Sequence, residues 1–149
     1  MRIGEEGHNM ARGIRPFCPR VLLVATNGVR VIQAGLACCG VEASATDLLS
    51  AVGCTIASAD ETANILVVAG TVTKVLGPTI ESAYQQLIEP KVVIAFGVCA
   101  ITGGPYWDSY SVLPGASTVI PVDINVPGCP PTPKDLANAI GQARELAKK

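Results

Sequence analysis

The sequence predicts one α/β domain, with a mostly parallel sheet and helices on both faces. Three observations carry that expectation. Residues 65–69 (ILVVA), 92–96 (VVIAF) and 119–126 (VIPVDINV) have the near-continuous hydrophobicity of strands buried on both faces. Helix-like stretches separate them, giving a β-α-β-α-β alternation. With 149 residues, 49% of them hydrophobic, the chain is long enough for one real core and short for two.

Taken in order, residues 1–20 hold most of the early charge, two prolines and little periodicity, and read as an N-terminal arm, either lying on a partner or partly disordered. Residues 21–149 form the domain. A weaker strand is expected near residues 29–34, and residues 21–26 read as either strand or arm. Helical patterns follow at about residues 42–51 and 78–88, where Pro78 is tolerable only in a first turn. The last helix is the best marked. Thr132 can cap it, Pro133 takes the first position, Asp135 supplies a capping-box acid, and Lys148 and Lys149 suit its C-terminal end. Its apolar face is Leu136, Ala139, Ile140, Ala143 and Leu146.

Composition narrows the function. Only 15% of residues are charged, against about 25% in an ordinary soluble domain, so part of the surface is expected to be covered by partners. No apolar run approaches the roughly 18 residues that cross a bilayer, and the first residues carry no apolar leader, so a cytoplasmic chain without a span is expected. A net charge of -1 with no basic stripe gives no footprint for nucleic acid. Six cysteines in such a chain point to metal or redox chemistry rather than structural disulfides.

In a parallel α/β sheet, sites form outside the carboxyl ends of the strands. Cys38 and Cys39 follow the first candidate strand, Gly70 and Thr71 the second, Cys99 the third and Cys129 the last. Four thiolates converging there suit zinc or an iron-sulfur cluster. Structural zinc sites usually draw Cys-x-x-Cys pairs from short knuckles. Here one adjacent pair joins two distant singles, and neighbouring cysteines reach separate corners of a cubane more readily than one small ion. Gly35, Gly40, Gly97, Gly103, Gly104 and Gly128 are expected to let backbone N–H groups approach the sulfurs. Buried core cysteines are the other reading of the same spacing.

The segments GLACCGVE (35–42), ILVVAGTVT (65–73), GVCAITGG (97–104), SYSVLPG (109–115) and PVDINVPGCPPTP (121–133) together resemble the 20 kDa small-subunit family of respiratory complex I, and more distantly the small subunits of nickel-iron hydrogenases. The resemblance runs in order over residues 29–146. It implies a flavodoxin-like, doubly wound fold and one 4Fe-4S cluster on Cys38, Cys39, Cys99 and Cys129. It also implies an electron-transfer subunit, peripheral on the cytoplasmic side of the membrane and not a complete enzyme alone. Such a subunit receives electrons from a neighbouring iron-sulfur subunit and docks on a large catalytic-type subunit and on membrane-arm subunits, where quinone is reduced. Glu42 becomes either a polar group aiding proton movement on the acceptor side or an ordinary first-turn acid.

Departures from the family pattern lie on the quinone side. Asp60, Glu61 and Thr62 replace a proline-arginine-glutamine run, Ala43 and Ser44 replace methionines, and Pro114 stands where arginine is usual. The small subunit of a membrane-bound energy-converting hydrogenase is therefore the near alternative, and a non-redox flavodoxin-like or zinc scaffold the distant one. Cys54 reads as apolar filler and Cys18 as a partner contact. His8 belongs to the arm, Asp123 to a strand-end polar contact, and Tyr106 and Trp107 to a partner surface.

Overall fold

The computed structural model describes residues 24–26, 29–43, 55–56 and 64–148. The expected arm, Cys18, Cys54, His8 and residues 60–62 lie outside these, as does most of the helix expected over residues 42–51. Within them, β1 (Val24–Thr26), β2 (Val29–Gly35), β3 (Thr55–Ile56), β4 (Ile65–Ala69), β5 (Val92–Phe96) and β6 (Ile124–Val126) make one sheet in the order β3-β1-β2-β4-β5-β6. The strands β2, β4, β5 and β6 run parallel, each beside the next. Antiparallel β1 and β3 extend the sheet beyond β2.

The register fixes where chemistry can gather. Gly35 pairs with Ala69, Ala69 with Phe96, and Phe96 with Val126. The four parallel strands therefore end level, and the segments leaving them start along one line.

Both faces of the sheet are buried because β4 and β5 are apolar at every position. Alternate residues Ile65, Val67, Ala69, Val92, Ile94 and Phe96 pack with Val31, with Cys39 and Ala43 of α1 (Cys38–Ala43), and with Leu136, Ala139, Ile140 and Ala143. The last four lie on the long C-terminal helix Pro133–Ala147. The intervening residues Leu66, Val68, Val93 and Ala95 pack with Ile80 of α2 (Gly77–Gln85) and Ala100 of α3 (Val98–Thr102). With the C-terminal helix as α4, two helices cover each face, which is the doubly wound, flavodoxin-like arrangement expected. Each fully buried large side chain, such as Phe96 or Ile94, contributes on the order of 1.5–3 kcal/mol.

Helix α4 starts as its sequence dictates. The Thr132 side chain accepts from the Asp135 amide at 3.3 Å, and the Thr132 amide donates to the Asp135 carboxylate at 3.0 Å. Asp123 also fills its expected structural role, its carboxylate accepting from the buried Val93 amide at 2.8 Å.

Other expected boundaries moved for local reasons. The strand read over residues 119–126 is ordered as β6 only from Ile124. Ala116–Thr118 turns as a 3-10 segment, Ile120 is buried beside α2 and α3, and Pro121 has no N–H for a ladder. Helix α1 begins at Cys38, four residues before the expected start. Helix α2 stops at Gln85 rather than residue 88, just before a Glu-Pro pair that disfavours further helix.

Candidate functional site

The segments leaving the parallel strands build the site. After β2 the chain passes Leu36, whose amide donates to the Ala69 carbonyl at 2.7 Å, and enters α1 at Cys38 and Cys39. A Cβ placed on Gly40 would lie 2.7 Å from the Gly35 Cα. Only glycine lets this helix press so closely on the end of its own strand. After β5, Gly97 turns the chain into α3 and places Cys99 at that helix's second position. After β6 the segment 127–132 carries Cys129. Two hydrogen bonds lock it to the β5 turn, Gly97 N–H to the Val126 carbonyl at 2.8 Å and Val98 N–H to the Gly128 carbonyl at 2.9 Å.

All four cysteines carry free thiols in one neighbourhood. Cys39 and Cys99 are buried, at 1% and 5% exposure, whereas Cys38 and Cys129 are exposed. Burial first, then the charge and hydrogen bond of Cys38 and the charges of Cys99 and Cys129, pushes the Cys39 thiol up to about 11. That three other cysteines act on one thiol places them within electrostatic reach of it. Yet among the described residues no three His, Cys, Asp or Glu side chains close on a single metal ion.

Backbone shape makes room for the two buried sulfurs. Gly97 has φ 94° and ψ 152°, and a Cβ there would sit 2.5 Å from the Cys39 Sγ; at Gly104 it would sit 2.9 Å from the Cys99 Sγ. A donor set of four thiols, two of them in glycine-lined recesses, suits an iron-sulfur group. The glycines act by making room. The amides of Gly40, Gly97 and Gly103 themselves donate to the carbonyls of Ala37, Val126 and Cys99.

Glu42 lies on α1, half-buried, one helical turn beyond Cys38 and Cys39. Tyr106, Trp107 and Tyr110 stand exposed after the Gly103-Gly104 turn, Trp107 at 70%. Sequence reasoning passed over Gln33. It is a buried polar residue at 4% exposure, and its side-chain amide donates to the Gly40 carbonyl at 3.2 Å. The signal was legible as a lone glutamine in the β2 run VRVIQAG.

Fold and site together define a doubly wound α/β domain with four thiols gathered at the carboxyl edge of its sheet. Residues 34–143 match the family model for the NADH ubiquinone oxidoreductase 20 kDa subunit, and the chain belongs to that family. It is 46% identical over 120 residues to a B-type subunit of NADH-quinone oxidoreductase from Salinispora tropica, covering 77% of this chain and 64% of the relative. To the corresponding NADH-quinone oxidoreductase subunit of Carboxydothermus hydrogenoformans it is 44% identical over 115 residues, covering 74% and 69%. The match to a B-type subunit from Streptomyces griseus, 43% identical over 120 residues and 77% of this chain, covers 51% of that protein. The chain thus spans between about half and two thirds of the first relatives it matches. Among solved structures it resembles a chain of the membrane-bound sulfane sulfur reductase, an archaeal respiratory membrane complex. That likeness has a TM-score of 0.66 and 30% identity, covering 78% of this chain and 69% of the other. No helix among the described residues is long and apolar enough to cross a membrane.

Proposed function

We propose that Cys38, Cys39, Cys99 and Cys129 hold one 4Fe-4S cluster, and that this chain is the electron-transfer subunit passing electrons to quinone at the membrane-arm junction of a complex I-like oxidoreductase. The observation that carries this reading is the convergence of the four thiols at the level ends of β2, β5 and β6. When bound, such a cluster supplies one-electron transfer at a potential tuned by its surroundings.

The chain's own residues supply the rest. Cys39 and Cys99 hold the inner side of the site in a setting that excludes water, and Cys38 and Cys129 face outward. Beside the outward pair, Val41 is exposed at 75%, an apolar rim suited to a covering large subunit. Glu42, on the same helix, assists proton movement on the acceptor side. The chain sits on the cytoplasmic side as a peripheral subunit, with a neighbouring iron-sulfur subunit as electron donor.

The likeness to a sulfane sulfur reductase chain favours a second reading, in which the complex uses an acceptor other than quinone. Pro114 in place of the usual arginine, and Glu61 within the altered run, agree with it. The hydrogenase alternative belongs here too.

Anaerobic purification of the full chain with iron, zinc and acid-labile sulfide analysis tests the cluster. Iron and sulfide at 4Fe-4S stoichiometry, lost or converted in each of Cys38→Ser, Cys39→Ser, Cys99→Ser and Cys129→Ser, is expected. Stoichiometric zinc without sulfide would overturn it. Reduction of a quinone analogue by the assembled complex, against reduction of sulfur or protons, decides the acceptor.

A further inference from the structure

We propose that Gln33 is a positioning residue that sets the rotation of the Cys38–Cys39 helix, and through it the reduction behaviour of the group those cysteines hold; this rests on the cluster proposed for the four thiols. Cys39 and Ala43 pack α1 onto the sheet, and two further contacts at Gly40 do different things. The Gly35 to Gly40 approach fixes how close the helix lies. The Gln33 side-chain amide, donating to the Gly40 carbonyl at 3.2 Å, fixes its rotation about its own axis. Gly40 directly follows Cys39, so the tethered peptide belongs to the turn that presents both thiols.

Gln33 shares its side of β2 with Val31, facing the layer that α1 and α4 cover. Methionine or leucine would fill a similar volume there without a polar cost, whereas a buried amide costs stability unless it is bonded. Consecutive helical residues point about 100° apart. A rotation of α1 therefore moves Cys39 out of its recess beside Gly97 while carrying Cys38 across the site. The tether to Gly40 resists that rotation.

The test uses the full chain, purified anaerobically as wild type, Gln33→Met and Gln33→Glu. Gln33→Met keeps all four thiols and is expected to retain iron and sulfide, with altered g-values by electron paramagnetic resonance and a severalfold change in the reduced-to-oxidised ratio at fixed potential. Gln33→Glu adds a pH response. A buried carboxyl is pushed up by desolvation, so at low pH it is protonated and donates to Gly40 as the amide does. As pH rises and it ionises, the donor becomes a repelled acceptor, and the spectrum should move from wild-type toward Gln33→Met, a dependence the wild type lacks. Should Gln33→Met load no cluster, the pH response of Gln33→Glu decides. Wild-type g-values and midpoint in Gln33→Met, at full iron content, overturn the role of Gln33. Absence of sulfide from the wild type overturns the cluster reading instead.

Discussion

Gly97→Ala perturbs the site without touching a thiol. Its backbone, at φ 94° and ψ 152°, lies in a region that essentially only glycine visits, and holding alanine there costs about 1–3 kcal/mol. The new Cβ would also lie 2.5 Å from the Cys39 Sγ, against an ordinary contact of about 3.5–4 Å. The sulfur must recoil by on the order of 1 Å, twice the roughly 0.5 Å tolerance of a preorganised site. A domain stable by about 5–15 kcal/mol survives the backbone cost, so the expected product is a folded chain with little iron and sulfide. Gly141→Ala is the paired control. Nothing lies within 4 Å of its added Cβ, and it sits in the interior of α4, so it should gain about 0.5–1 kcal/mol and keep its iron. Denaturant unfolding with iron and sulfide analysis on both variants reads the result. Wild-type stability and full cluster content in Gly97→Ala would refute the claim that glycine makes room for the Cys39 sulfur.

Three further outcomes are expected. Asp123→Ala leaves the buried Val93 amide without its carboxylate acceptor and should cost about 1.5–3 kcal/mol in denaturant unfolding; a change within error would mean that water replaces the carboxylate. Thr132→Ala should lower the melting temperature by removing the cap of α4. The hydrogen bonds from Thr132 hold the Asp135 carboxyl below its ordinary 3.8. That contribution is therefore present above the ordinary value and fades as acid protonates the folded form, and the variant, which keeps only the backbone donor, should show a weaker acid dependence. In the cluster-free chain, alkylation should reach Cys38 and Cys129 before Cys39 and Cys99. Because Cys39 is pushed from 9.0 up to about 11, its labelling should climb with pH across that range. The folded state keeps the matching stability below pH 9.0 and loses it as pH rises through about 11. Equal labelling of all four thiols at neutral pH would contradict the buried pair.

Much of the scaffold was legible because β4 and β5 are apolar at successive positions, which only a doubly covered parallel strand requires. The cap of α4 was legible because Thr132, Pro133 and Asp135 each act locally. What escaped depends on tertiary contacts. The strand expected from residue 119 was mostly not strand, since apolar residues such as Ile120 also suit packing from a loop onto a helix layer. The start of α1 was missed because GLACCG, with a glycine at each end, looks like a loop. Its helix exists because Gly35 and Gly40 meet across the strand end, a contact no local pattern encodes. The glycines near the cysteines were recognised, but which of them make room for which sulfur, Gly97 for Cys39 and Gly104 for Cys99, depends on the folded approach of separate segments.

The tandem pair shows how a sequence spacing acquires its physical meaning. Along the sequence, two adjacent cysteines argue against one small ion only by crowding. On a helix the reason is sharper, since neighbouring side chains diverge by about 100°. In α1 that divergence sends Cys39 into the core and Cys38 to the surface. Thiols on such diverging vectors suit a group that offers different metal corners to different sulfurs. Cys99 and Cys129 repeat the division, one buried and one exposed, from β5 and β6. Each half of the site thus pairs an inner thiol, fixed by the sheet, with an outer one that a covering subunit can reach. The site thus has one side insulated by the chain's own core and the other open at the surface.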